Sequence, residues 1–453
     1  MGQPALDSRA DPAIRPDKAP EQHSWKRVHA LILPSVHLRV KARPASRPGP
    51  ALTTGGRWLA SSSMRRPHNG LFLAIVVIAF TVRLGAVVLF RPAPAIDEAL
   101  HLEVTEEFGA GLPTPAQLQD YGSATGPFFY IVFGNLGAVF SYDLTALRIL
   151  VLLLGLGSLF LFQRILRRLL PQDGPMPAVA LMATAPYFMP LAGLFMTEHL
   201  ALILGLASLL CYLRYDSGGR AADALLSILF ATLAVYTRVY FVFLPVCFAA
   251  AGIAQRPRFR PLWLIFLLPV LAFLPLFLAW RGLAPPTYQR MYHIGLTWQN
   301  LSSVFIWTGV CFLPWVWHRL RPAHLAALLA IPVVLLAPLP GLGFTRSVLK
   351  ALPQVPALLA AVVLAVAGLA YFIWIAHCAF RQEQPFRVAA VGGLLLAAGL
   401  VISGPAVYER YLLPGYPLML ACVRPARRSW LALAWAGLFQ LPAAIAHIVH
   451  LSG

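Results

Sequence analysis

The sequence predicts an all-α polytopic membrane protein with about 13 transmembrane helices, and three observations carry that expectation. Of its 453 residues, 59% are apolar and only 12% are charged. Beyond residue 69 the apolar residues fall in successive runs, most of them 16 to 25 long, and about 20 residues cross a bilayer as a helix. Arginines gather in every second connection between those runs, the pattern of loops retained in the cytoplasm.

Residues 1–69 differ from the rest: they are rich in Pro, Arg, Ala and Ser and have no periodic apolar pattern that supports a core. They are expected to be a disordered basic segment. Met64-Arg65-Arg66 ahead of an apolar run also looks like a natural start, which would leave residues 1–63 upstream of it. Residues 70–453 are expected to form one membrane-embedded domain. Its spans are expected near 71–90, 144–163, 176–195, 199–213, 221–237, 239–255, 262–280, 300–317, 324–342, 353–377, 388–405, 411–423 and 430–448.

Orientation follows from the cations. Arg65 and Arg66, then Arg164/Arg167/Arg168, Arg214/Arg220, Arg256/Arg258/Arg260, Arg319/Arg321, Arg381/Arg387 and Arg424/Arg427/Arg428 mark cytoplasmic connections and a cytoplasmic N-terminus. The opposite face then holds the loop 91–143, the connections at Glu198 and Arg238, residues 281–299 and 343–352, and the turn 408–411. These basic loops explain much of the net charge of +19 without nucleic acid as a partner; the partner is the lipid bilayer. The 32 Arg against 4 Lys suggest a GC-rich genome, hence a bacterial inner membrane with this second face toward the periplasm. Cys211, Cys247, Cys311, Cys378 and Cys422 show neither a disulfide framework nor metal-ligand spacing and read as small buried hydrophobes.

The loop 91–143 holds seven of the thirteen acidic residues found beyond position 69. Charge beside lipid is costly, so this concentration marks the place to look for chemistry. From Ile96 to Phe108 the residues favour an interfacial helix that aligns Asp97, His101 and Thr105 on one side. Gly109, Gly111, Pro113 and Pro115 break it. Tyr121-Gly122-Ser123-Ala124-Thr125-Gly126-Pro127 then leads into Phe128–Phe140, an apolar run short enough to be re-entrant or interfacial.

Asp97 and Glu98 are the general-base candidates, because a carboxylate at a membrane edge accepts a proton from a hydroxyl or amine. The competing reading is a solvated helix N-terminus, where acids meet the positive end of the dipole. His101, one turn on, is placed to bond Asp97 or a phosphate, against an ordinary structural histidine. Glu198 sits in a tight outer connection and is a second acid for the site, against a simple cap by Thr197. Arg238 has no acid near it in sequence, and its alternative is snorkelling to headgroups. Arg346, Lys350 and Arg410 are cations on the outer face against the cytoplasmic trend; Arg410 either pairs with Glu409 or grips phosphate in a bidentate way. The aromatics of 281–299 read as an interfacial belt or a sugar-stacking surface.

These motifs together resemble the GT-C superfamily of glycosyltransferases over most of residues 70–450. Asp97-Glu98 after the first span looks like the acidic pair of protein mannosyltransferases and lipid A aminoarabinose transferases. Gly126-Pro127-Phe128-Phe129-Tyr130 looks like the later part of the same loop, and Glu198 falls where those enzymes place a second outer acid. Asp97-Glu98-x-x-His101 and Glu409-Arg410-Tyr411-x-x-x-Pro414 are also similar to dolichyl-phosphate-glucose glucosyltransferases. No WWDxG-like motif and no large outer domain is present, which argues against protein N-glycosylation.

The resemblance implies an enzyme that moves a sugar from a polyprenyl-phosphate-linked donor to a lipid, glycan or protein acceptor on the outer face. It implies Asp97 as base, with Glu98 and Glu198 orienting it or holding a cation. It implies Arg410, helped by Arg238, Arg346 or Lys350, on the donor phosphate, with His101, Tyr121 and Tyr411 in the same pocket. No cofactor is fixed, and a divalent cation is the one class left open. A secondary transporter or lipid flippase is the reading from another class, although it would place charges near the midplane of repeated, broken helices.

Overall fold

The computed structural model describes residues 69–109, 111–255, 260–291, 295–316, 330–331, 333, 353–381, 386–402 and 409–452. Every regular element among them is helical. A chain this apolar has no water to satisfy its amides inside a bilayer, so each segment must close its own hydrogen bonds, and the helix does that. Four helices are long and apolar enough to cross: Asn69–Phe90, Leu144–Leu169, Glu198–Gly218 and Gln354–Ala379. At 1.5 Å per residue, the 26 residues of Leu144–Leu169 reach about 39 Å, more than the hydrocarbon core needs. Six shorter apolar helices accompany them: Phe128–Val139, Ala221–Thr237, Val239–Ala254, Leu264–Trp280, Arg387–Ile402 and Ser429–Ile445.

The first long helix shows how such a helix sits. Phe72, Ile75, Val76, Phe80 and Arg83 are buried, while Leu71, Leu73, Val77 and Ile78 on the other side are exposed. An apolar face left outward in this way suits lipid rather than water. Ends are set by local chemistry. Asp143 caps Leu144–Leu169 by accepting from the Ala146 amide at 2.7 Å, and Arg167 and Arg168 close its last turn, where cations meet the negative end of the dipole.

Helices meet closely where side chains are small. Trp298–Val316 and Gln354–Arg381 cross at two glycines, and a Cβ on Gly309 or Gly368 would fall 1.9 Å from the backbone oxygen of Leu364 or Phe305 respectively. Ser208 and Ser227 bond across the pair Glu198–Gly218 and Ala221–Thr237, the Ser208 hydroxyl donating to the Ser227 carbonyl at 2.7 Å. The five cysteines are buried, and none is in a disulfide.

Two expected spans differ in detail. Residues 176–195 do not form one helix: Met176–Ala183 ends before Ala185-Pro186, and Met189–Ala192 is a single turn, with residues 177–195 buried. Pro186 and Pro190 lack the amide donor that would carry the helix on. The expected 411–423 span shortens to Tyr416–Val423, because the tight turn Glu409–Leu412 precedes it. The expected span 324–342 falls almost entirely outside the described residues, as do residues 1–68, Arg346 and Lys350.

Candidate active site

The helix expected at the interface forms over Ile96–Phe108, and Asp97 occupies its first turn. The Asp97 side chain is 46% exposed, and its Oδ2 accepts from Arg410 Nη1 at 2.7 Å. Arg410 stands in the turn Glu409–Leu412, and its Nε lies 3.5 Å from Glu198 Oε1. Glu198 opens the long helix Glu198–Gly218, and the same oxygen accepts from Arg238 Nη2 at 2.5 Å. Arg238 is the first residue past the end of Ala221–Thr237. Four residues separated by up to 313 positions thus form one chain, Asp97–Arg410–Glu198–Arg238, leading from a half-exposed acid to a buried ion pair.

Electrostatics holds the middle of that chain charged. Burial opposes the charge on Arg410, but Glu198, Tyr411 and Asp97 outweigh it and hold the guanidinium above the usual arginine range. The Tyr411 ring lies 5.7 Å from the Arg410 guanidinium carbon, and the Tyr240 ring packs 5.5 Å from that of Tyr411. Two carboxylates and two guanidiniums sum to zero charge. The residues present do not fit a divalent cation: both acids are already engaged by arginines, and among the described residues no three His, Cys, Asp or Glu side chains converge.

Glu98, the neighbour of Asp97, does something different. It is fully buried, and Arg148 grips it with Nε at 2.9 Å and Nη2 at 2.7 Å. Its Oε1 also accepts from the Phe195 amide at 2.6 Å, and its Oε2 from the Ala95 amide at 3.0 Å. Arg148 in turn donates to the carbonyls of Pro92 and Ala93. Glu98 therefore ties the start of the interfacial helix to the segment that enters Glu198, and it has no oxygen to spare for a proton. Its geometry suits fixing the helix start beside Asp97 rather than exchanging a proton.

His101 faces inward. Its Nδ1 lies 2.6 Å from the Tyr130 hydroxyl, which also bonds Ser123 at 2.6 Å and lies 3.0 Å from Thr125 Oγ1. Burial, reinforced by the charge of Arg238, pushes its pKa down to about 3, so the ring is neutral at ordinary pH. Tyr121 donates to the Thr125 carbonyl at 2.5 Å, which places it in this same polar knot. Gly126 completes the knot: its amide donates to the Thr237 carbonyl at 3.1 Å, and a Cβ there would lie 1.9 Å from the Tyr236 oxygen. Only glycine lets the loop pass this close beside Arg238.

Comparison with known proteins adds little sequence similarity. No protein-family model matches the chain, and no curated protein matches it. Among solved structures it is similar to ArnT from Cupriavidus metallidurans bound to undecaprenyl phosphate, at 17% identity and a TM-score of 0.38, over 81% of this chain and 77% of that one. The apo state of ArnT gives 17% identity and a TM-score of 0.38, over 81% and 76%.

Residues 280–288 serve as a clasp. Thr287 donates to Asp120, Tyr288 to the Gly122 carbonyl at 3.1 Å, and Trp280 to the Leu118 carbonyl at 2.8 Å. Sequence reasoning missed Arg148, Tyr130 as a hydrogen-bonding hub, and Tyr240. Arg148 carried a signal, being a lone cation near the start of a 26-residue apolar helix. The others carried none until the chain was folded.

Proposed function

We propose that the protein is an integral membrane glycosyltransferase that moves a sugar from a polyprenyl-phosphate donor to a lipid, glycan or protein acceptor on the periplasmic or luminal face. The observation that carries this reading is Arg410, a cation shared between the half-exposed Asp97 and the buried Glu198. It offers a guanidinium for phosphate beside a carboxylate that solvent and an acceptor can reach.

In the reaction, an acceptor oxygen or nitrogen attacks the anomeric carbon as its proton passes to Asp97. The bond from that carbon to the phosphate oxygen breaks, and its electron pair leaves with the polyprenyl phosphate. Charge growing on the phosphate is met by the partly buried Arg410, with the buried Arg238 behind it. Attack and departure on opposite faces invert the anomeric centre. Arg410 leaves Asp97 for the phosphate as donor binds, which frees the carboxylate to act as base. Glu98 and Arg148 hold the helix start so that Asp97 keeps its place.

The test is transfer of labelled sugar in membranes supplied with polyprenyl-phosphate sugars. Asp97→Asn at matched protein level should lose it by about 10²- to 10⁴-fold, the usual worth of a positioned base. Equal transfer by both proteins would remove Asp97 from the chemistry.

A further inference from the structure

Hydrogen-bond accounting around Glu198 leaves groups that the phosphate site does not use. Glu198 Oε1 faces Arg238 and Arg410, whereas Oε2 has no partner among the described residues. The same holds for Thr197 Oγ1, Arg238 Nε and the Tyr240 hydroxyl, all of them buried atoms. Buried polar groups in folded proteins are nearly always paired, so four unpaired in one neighbourhood call for an occupant. Tyr240 lies two residues past Arg238 in the turn Val239–Val242, its ring 5.9 Å from the Arg238 guanidinium carbon. Its hydroxyl is not bonded to Glu198 Oε2, since neither atom has a partner among the described residues.

The chemistry of this unspent set names its occupant. A carboxylate oxygen only accepts, a guanidinium N–H only donates, and the two hydroxyls do either. A phosphate would satisfy the donors and be repelled by Glu198 Oε2. A hydroxyl-bearing ligand satisfies both kinds, donating to Glu198 while accepting from Tyr240 or Arg238. We propose that Glu198, Tyr240, Arg238 and Thr197 form a sugar-hydroxyl subsite that reads the donor's sugar, one step inward from phosphate on Arg410. This rests on the transferase reading above. Sites built to bond a hydroxyl reject an analogue that lacks it far more strongly than apolar pockets reject a missing methylene, because their own polar groups are left unpaired. The subsite therefore sets which sugar is carried.

The test uses purified full-length protein in detergent and two kinds of probe: bare undecaprenyl phosphate, and undecaprenyl phosphate bearing glucose, mannose, galactose or arabinose. At least one sugar-bearing lipid should bind about tenfold more tightly than the bare lipid, and Tyr240→Phe should remove most of that tenfold gain while leaving the bare lipid's affinity unchanged. The thermal midpoint of Tyr240→Phe should not fall, since the hydroxyl removed has no partner to lose; a purely structural tyrosine would lower it. Equal weakening for bare and sugar-bearing lipids would move Tyr240 onto the phosphate and overturn the subsite. So would unchanged affinities throughout, which would leave only water there, or a panel in which no sugar improves on the bare lipid. In these three outcomes the phosphate reading survives. Failure of the wild type to bind even bare lipid would remove the transferase reading, and the subsite with it.

Discussion

Two adjacent carboxylates, Asp97 and Glu98, have been given opposite environments by one turn of helix. Glu98 points inward to a bidentate guanidinium and two backbone amides, and Asp97 points to the edge and a single arginine. Removing one partner of a buried ion pair strands the other, at a cost of about 3–5 kcal/mol. Arg148→Met should therefore lower the thermal midpoint severely, whereas Asp97→Asn, at a half-exposed position, should leave it nearly unchanged; equal midpoints for the two variants would contradict the assignment. His101 gives a residue-scale pH dependence. Its folded pKa of about 3 lies below the ordinary histidine value, so the unfolded chain takes up the proton first as pH falls. Stability from this group is full above pH about 6.5 and is lost progressively toward pH about 3. His101→Gln should flatten that part of the profile, as read by midpoints across the range. The acidic pair was legible as a pair in the sequence. Its division of labour was not, because Arg148 lies 50 residues from Glu98 and only folding joins them.

At the scale of elements, the site exists because three helix ends and one tight turn meet. The interfacial helix Ile96–Phe108 was legible to its boundaries, since Asp97 and Glu98 favour its start and Gly109 its stop. Glu198, Arg238 and Arg410 were legible as charges on one side of the membrane, and the fold brings all three together. His101 and Tyr121 were also singled out, but they belong to the neighbouring polar knot that positions the loop. The helix break at residues 184–188 was not foreseen, because its apolar composition hides the effect of Pro186. Gly126 is the sharpest element-scale test. Gly126→Ala drives a methyl group into the Tyr236 carbonyl, so the loop must shift away from Arg238. Sugar transfer should drop at least about tenfold although no charged group has changed, the sensitivity expected when reacting groups move by about 1 Å. Transfer at the wild-type level would show that the loop does not set the site's geometry.

For the whole molecule, the proposed function requires Asp97, Glu198, Arg238 and Arg410 to lie on the face opposite the arginine-rich connections. The five native cysteines are buried, so single cysteines introduced at exposed positions can report sidedness. Cysteine at Glu106 should react with a membrane-impermeant thiol reagent from the periplasmic side of intact cells, and cysteine at Arg167 only after the membrane is opened. The reverse pattern would turn the site to the cytoplasm. The helical membrane architecture was the most legible feature of all, because hydropathy and the solvation of amides in lipid leave few alternatives. The identity of the sugar was the least, because the groups around Glu198 come from distant segments.

The most direct measurement is transfer of labelled sugar from polyprenyl phosphate in membranes holding wild-type protein or Asp97→Asn at matched levels, with the binding of bare undecaprenyl phosphate measured alongside. The account predicts that Asp97→Asn retains lipid phosphate binding, or binds it more tightly because Arg410 is released, while transfer falls by about 10²-fold or more. Transfer undiminished in the variant would contradict it.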